Sequence, residues 1–302
     1  MNRVKLRSRA LVAAAALITQ LSATRALRAE RYRTDVGSDV ALLSGAIALA
    51  IAASNTPSRR GNWGAWLPGE AAAQRNFSAR ASRISDLTLY TTLTTPLIAQ
   101  LAPGADADTG RATLIYAQVI AIDAALTMLT KRLVGRPRPY THSADPAVAA
   151  YAQAKGDGAY ASFFSGHSSL AFAAAVSGSY LFAARSGDRA ARASLWGMQL
   201  ALASFTAGLR LRAGRHYLSD VVVGALVGSG LALGISFAHT DRAARPSIST
   251  ASALAIAGGI SFGALLSHLL PFSFAAPNGS GLRLGPLFAD GVAGLALSLS
   301  PP

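Results

Sequence analysis

Three short clusters combine residue types that can hold an anion beside a nucleophile and an acid. The last in the chain runs Leu209-Arg210-Leu211-Arg212-Ala213-Gly214-Arg215-His216-Tyr217-Leu218-Ser219-Asp220. Four apart on a helix, His216 and Asp220 would share a face. The carboxylate could then accept the imidazole Nδ1–H and leave Nε2 free to attack, as the aspartate of a serine-protease triad orients its histidine. Arg210 adds a cation. Taken alone, His-x3-Asp describes an ordinary surface pair equally well.

The middle cluster is Phe163-Phe164-Ser165-Gly166-His167-Ser168-Ser169. Ser165 is suited to cap a helix, and Gly166 lets backbone approach a ligand closely. Unpaired N–H groups at a helix start attract anions, which would set His167 beside a bound phosphate. The first cluster, residues 131–139, reads KRLVGRPRP, with cations at Lys131, Arg132, Arg136 and Arg138. Basic residues at a helix end often only snorkel. Here two prolines stiffen the arm. Lys131 and Arg138 then offer a point charge and a bidentate fork to one phosphate.

Positioning these clusters calls for helices. Six apolar stretches are long enough to be considered, at 38–54, 86–103, 111–130, 164–184, 193–209 and 219–239. Crossing about 30 Å of hydrocarbon takes about 20 residues. Threonines and Pro96 make 86–103 the weakest. Gly224, Gly228, Gly230 and Gly234 in the sixth stretch give two small-xxx-small spacings for close helix approach. Asp123, inside the third stretch, is expected to pair with an arginine on a neighbouring helix. Residues 249–270 could form a seventh helix, and 277–302, rich in glycine and proline, should be irregular or extended. The connector 55–85, with Trp63, Trp66 and five arginines, reads as an interfacial segment.

In order and spacing, Lys-x6-Arg-Pro, Ser-Gly-His and Arg-x5-His-x3-Asp together resemble the signature of the type 2 phosphatidic acid phosphatase and vanadium haloperoxidase superfamily. The resemblance covers about residues 86–240, and the six-stretch layout is similar to the family's membrane branch. Two positions depart from the pattern. Phe164 stands where the family usually has proline, and Leu209 where it usually has serine. The resemblance implies that His216 is the nucleophile, oriented by Asp220, and that His167 protonates the leaving alcohol. It also implies that Lys131, Arg138, Arg210, Ser165 and Gly166 hold the phosphate oxygens.

Composition narrows the class. Charged residues are 14% of the 302, against about 25% in soluble domains, while 51% are hydrophobic. The net charge of +14 is spread between apolar stretches, which suits anionic lipid headgroups and a phosphate site and leaves no nucleic acid partner expected. With no cysteine, disulfides, thiolate catalysis and zinc–thiolate sites are excluded. A basic start at Arg3, Lys5, Arg7 and Arg9, an apolar run over 10–23 and small residues near Ala26 and Ala29 read as a signal peptide.

The expected protein is therefore an all-α, multi-pass helix bundle in a bacterial-type inner membrane. It has a signal at 1–29, a phosphatase core at 30–242 and an extension at 243–302. It hydrolyses a lipid phosphate monoester or pyrophosphate without a cofactor, and its partners are that substrate and membrane lipid. The site faces outward, provided that 86–103 or 38–54 does not cross. The competing expectations are a vanadate-dependent haloperoxidase, a soluble periplasmic acid phosphatase and a non-catalytic phosphate-binding membrane protein. Because no Asp, Glu or His cluster has metal-ligand spacing, phosphate release should survive EDTA and be blocked by vanadate. Loss on chelation with recovery in magnesium would contradict this.

Overall fold

The computed structural model describes residues 31–270 and two short strands, β1 (Leu282–Leu284) and β2 (Leu297–Leu299), paired antiparallel. The signal expected at 1–29 and the rest of the tail lie outside the described residues. Eight α-helices carry the described chain: α1 (Val36–Asn55), α2 (Ala79–Ala99), α3 (Ala107–Val134), α4 (Pro146–Ala154), α5 (Gly166–Arg185), α6 (Arg189–Arg212), α7 (Leu218–His239) and α8 (Thr250–Leu269). The bundle is helical, as expected, and α8 is the seventh long helix. The short α4 was not anticipated, although Asp145 capping a helix with Pro146 in its first turn is a legible start signal.

Short polar side chains start most of these helices. Asp35, Ser78, Asp106, Asp145, Ser165, Asp188 and Ser249 each accept a backbone N–H of the first turn. Between them run apolar and small residues. Four helices are long and apolar enough to cross a bilayer: α1, α3, α7 and α8. Their outer faces expose Leu42, Ile47, Leu226, Phe237, Leu254 and Phe262. By contrast, α5 is buried along nearly its whole length, so serine, alanine and glycine serve it better than large apolar side chains.

Close helix approach is built on glycine. A Cβ on Gly224 would lie 2.5 Å from the Ser165 carbonyl oxygen, and one on Gly228 would lie 2.1 Å from that of Ser169. Of the two spacings in α7, this pair packs against α5, while Gly230 and Gly234 face open space. Gly259 and Gly263 bring α8 equally close to Gly197 and Ala201 of α6. Among the described residues Asp123 pairs with no arginine: Ser169 Oγ donates to its Oδ1 at 2.5 Å. A helix-facing serine supplies the polar partner without importing a second buried charge.

The helices alternate in direction. Gln118 of α3 bonds Asp39 near the start of α1, and Arg132 bonds the Ala53 and Ser54 carbonyls at its end. These two helices are therefore parallel. Between them α2 runs back, its start beside Arg210 and its Pro96 against Gly178, where an added Cβ would come within 2.2 Å. Stretch 38–54 and most of stretch 86–103 thus fall in continuous helices, of which α1 but not α2 is long and apolar enough to be a candidate crossing. At about 1.5 Å per residue, the 20 residues of α1 and 21 of α2 each extend about 30 Å. Three full-length helices precede Lys131.

Gly228→Ala should destabilise the bundle by about 1–3 kcal/mol, because a backbone carbonyl cannot move aside. Gly230→Ala, with nothing within 4 Å, should be neutral or slightly stabilising. Thermal unfolding in detergent reads both, and equal behaviour would contradict the packing argument.

Candidate active site

At one end of the bundle the start of α5, the end of α6 and the start of α7 meet the end of α3. The arm following α3 and the loop before α5 close over them. Two helix N-termini therefore point into a region that also holds Lys131, Arg138 and Arg210, a combination suited to an anion.

The three sequence clusters come together here. His216 is not on a helix. It precedes Tyr217, the N-cap of α7, and Asp220 is the third residue of that helix. What aligns the pair is the helix start: Asp220 Oδ2 accepts the Tyr217 backbone N–H at 2.9 Å, folding the carboxylate back toward residue 216. His216 Nδ1 lies 3.6 Å from that oxygen, longer than a hydrogen bond. Shortening it by about 0.7 Å would make one, a closure common when substrate enters a site. Nε2 lies 3.5 Å from Arg138 Nη1.

His216 is buried. Loss of solvation, followed by the charges of Lys131, Arg138 and Arg210, holds its imidazole well below the ordinary value of 6.5. It is neutral around pH 7, the state a nitrogen nucleophile needs.

Lys131 and Arg138 are held by backbone carbonyls. Lys131 Nζ donates to the Ala161 and Phe164 carbonyls at 2.9 and 2.7 Å, tying the end of α3 to the loop before Ser165. Arg138 Nε donates to the Gly158 carbonyl and Nη1 to that of Arg215. Ser165 is the N-cap of α5, as expected, and its own N–H donates to the Asp220 carbonyl. At Gly166 a Cβ would meet Thr127 Cγ2 at 2.9 Å and Lys131 Cε at 3.7 Å. Glycine there allows α5 to start against α3.

Arg136, a member of the first cluster without an assigned task, is the centre of the supporting network. Fully buried, it donates to Asp220 Oδ1 at 2.6 Å, Glu70 Oε2 at 3.1 Å, Ser219 Oγ at 2.8 Å and the Gly64 carbonyl. Its guanidinium lies between the rings of Trp63 and Tyr217, at 4.6 and 4.1 Å. Ser162 Oγ donates to Asp220 Oδ2 at 2.6 Å. Glu70, in the connector, also accepts the Ser219 backbone N–H at 2.7 Å. Burial works to raise the Glu70 carboxyl, but hydrogen bonds from Ser219, Trp66 and Leu67 outweigh it and hold it below the usual range. The connector is thus anchored to the start of α7 through buried Glu70, while Trp63, Trp66 and Leu67 remain exposed.

Sequence reasoning passed over a further acid. Asp86, on α2, accepts from His167 Nε2 at 2.6 Å, and Arg210 Nη1 lies 3.4 Å from the same oxygen. Asp86 is the one acidic residue in 79–99, and that isolation in an apolar stretch was the available signal. Among the described residues no group of three or more His, Asp or Glu side chains is placed to hold a metal ion.

A family model described as the PAP2 superfamily matches residues 112–244. No curated protein and no solved structure shows a significant match to the chain. All three clusters and Arg136 fall within the matched segment, whereas Glu70 and Asp86 lie outside it.

Removing Arg136 strands two buried carboxylates. Arg136→Met should cost about 3–5 kcal/mol. Adding Asp220→Asn to it should recover part of that stability, because one stranded charge is gone, while activity stays lost. If the double variant is less stable than Arg136→Met in thermal unfolding, Arg136 does not act by neutralising Asp220.

Proposed function

We propose that this chain hydrolyses a lipid phosphate through a phosphohistidine at His216, a reading supported by the match of residues 112–244 to the PAP2 superfamily model. One observation carries the reading: a buried, neutral histidine stands between a fixed carboxylate and the charges of Lys131, Arg138 and Arg210. Binding alone has no use for that imidazole.

The steps follow from the positions. His216 Nε2 attacks phosphorus as the ester P–O bond breaks, and Nδ1 keeps its proton toward Asp220. His167 passes a proton to the departing alkoxide. Water then attacks phosphorus, His167 takes its proton, the P–N bond breaks, and neutral His216 returns. Lys131, Arg138, Arg210, the Ser165 hydroxyl and the Gly166 N–H take the charge on the equatorial oxygens. Phosphoryl transfer is mostly positioning and charge stabilisation, so this set needs no metal.

The four bilayer-length apolar helices support a membrane protein and favour a substrate with a greasy body, either a monoester or a pyrophosphate. The same cage could hold vanadate and oxidise halide. The exposed apolar faces of α1, α7 and α8 argue for the lipid phosphatase instead. His216→Ala should abolish phosphate release from phosphatidate-type lipids, while Asp220→Asn should retain about 10⁻²–10⁻⁴ of it. Bromide oxidation by the vanadate-loaded protein, without lipid phosphate hydrolysis, would select the haloperoxidase.

If α1, α2 and α3 all cross, a cleaved signal and an outward-facing site are incompatible. A cleaved signal would then leave Tyr32 outside and carry the site to the cytoplasm. Membrane members of the resembled family work on the outer face, and we place this site there too, which sets Tyr32 on the cytoplasmic side. The cysteine-free chain allows a clean assay. Ala144 lies at the site end and Gly187 at the other, both exposed. In intact cells an impermeant maleimide should label Ala144→Cys at once and Gly187→Cys only after lysis. The reverse order would put the chemistry in the cytoplasm.

A further inference from the structure

The two histidines of the site each face a carboxylate, but only one of those pairs belongs to the three sequence clusters. His216 has Asp220, from its own cluster. His167 has Asp86, from α2, 81 residues away and outside the segment matching the superfamily. At 2.6 Å this is the shorter of the two contacts, and it meets hydrogen-bond geometry, which the 3.6 Å His216–Asp220 contact does not.

An ionised carboxylate can only accept, so His167 Nε2 carries the hydrogen that Asp86 receives. Nδ1 has no partner among the described residues. That leaves Nδ1 as the nitrogen available to substrate. The same Asp86 oxygen also faces Arg210, and Ser85 Oγ accepts from Arg210 Nη1 at 2.9 Å. One turn of α2 therefore fixes both the ring of His167 and the guanidinium of Arg210. Asp86 is partly open to solvent, so it is not merely an interior counter-ion.

We propose that Asp86 is the positioning residue of His167, fixing its ring so that Nδ1 serves as the acid for the leaving alcohol and then as the base for water. The inference rests on the phosphohistidine reading above. In the first step, imidazolium Nδ1–H passes its proton to the leaving oxygen as the ester P–O bond breaks. Throughout, Nε2–H stays on Asp86. In the second, the Nδ1 lone pair takes the proton of the attacking water as the P–N bond to His216 breaks. The imidazolium is then restored, ready for the next substrate. Burial, Arg210 on α6 and Arg138 on the arm after α3 oppose positive charge on His167 and hold its imidazole down to about 4, and Asp86, on α2, is the anion that works against them.

The test separates the chemical steps. Asp86→Asn keeps size and shape but can turn an amide N–H toward Nε2. Its kcat/KM for an alkyl phosphate should fall about 10²–10³-fold, as for loss of a general acid. For p-nitrophenyl phosphate, whose leaving group needs no proton, kcat/KM should fall by less than about 5-fold. Because water activation remains impaired, the aryl ester should give a burst of about one nitrophenol per enzyme before a slow steady state. Asp86→Glu should restore part of the alkyl activity with KM near that of the wild type.

Equal losses on both esters, or alkyl turnover unchanged in Asp86→Asn, would overturn the proposal and make Asp86 a structural or Arg210-binding residue. If Asp86→Asn fails to fold, Asp86→Glu decides alone: a loss of alkyl kcat/KM exceeding the aryl loss supports the role, and equal losses reject it. Phosphate release that persists in His216→Ala would instead sink the underlying reading, whatever the Asp86 variants do.

Discussion

A guanidinium sealed from water must find anions and acceptors, and Arg136 finds them on two separate parts of the chain. It holds Asp220 at the start of α7, Glu70 in the connector after α1, and the Gly64 carbonyl, between two aromatic faces. Neither carboxylate could be buried there without it, since stranding a charge costs several kcal/mol. Asp220 in turn receives Ser162 and the Tyr217 N–H, which fixes the turn carrying His216. The position of the imidazole thus depends on a cation that need never touch substrate.

This arrangement explains how a site so rich in positive charge remains folded. Lys131 is satisfied by carbonyl oxygens and Arg138 by two more, so neither depends on an anion being bound. Each histidine faces one acid, His216 the buried Asp220 and His167 the partly exposed Asp86. What stays uncompensated is the inward-facing charge that a phosphate would meet. Because these donors are fixed before binding, little reorganisation is left for the transition state.

Helices and caps were legible because each rests on local rules: apolar runs of bilayer length, Ser or Asp before the first turn, glycine where backbones touch. The three clusters were legible because spacing within a short segment is preserved in the fold. The failures share one cause. Asp123 was assigned to an arginine, yet its partner Ser169 is 46 residues away. Glu70 and Asp86 act on residues 66 to 149 positions distant, through helix packing that no local pattern encodes. The His216–Asp220 spacing was noticed for a helical face, although a helix start, with the carboxylate folded back onto the cap, is what joins them. Pro96 does not break α2, because its ring packs against α5 where Gly178 makes room for it.

The central claim is that phosphorus is bonded to His216 during turnover. Wild-type protein mixed with phosphorus-labelled substrate and quenched in alkali within a turnover should carry label on the peptide containing His216. That label should be stable to hydroxide, lost in acid and absent from His216→Ala. Steady release of phosphate with no label on His216, and with inversion of configuration at phosphorus, would show direct attack by water and contradict the account.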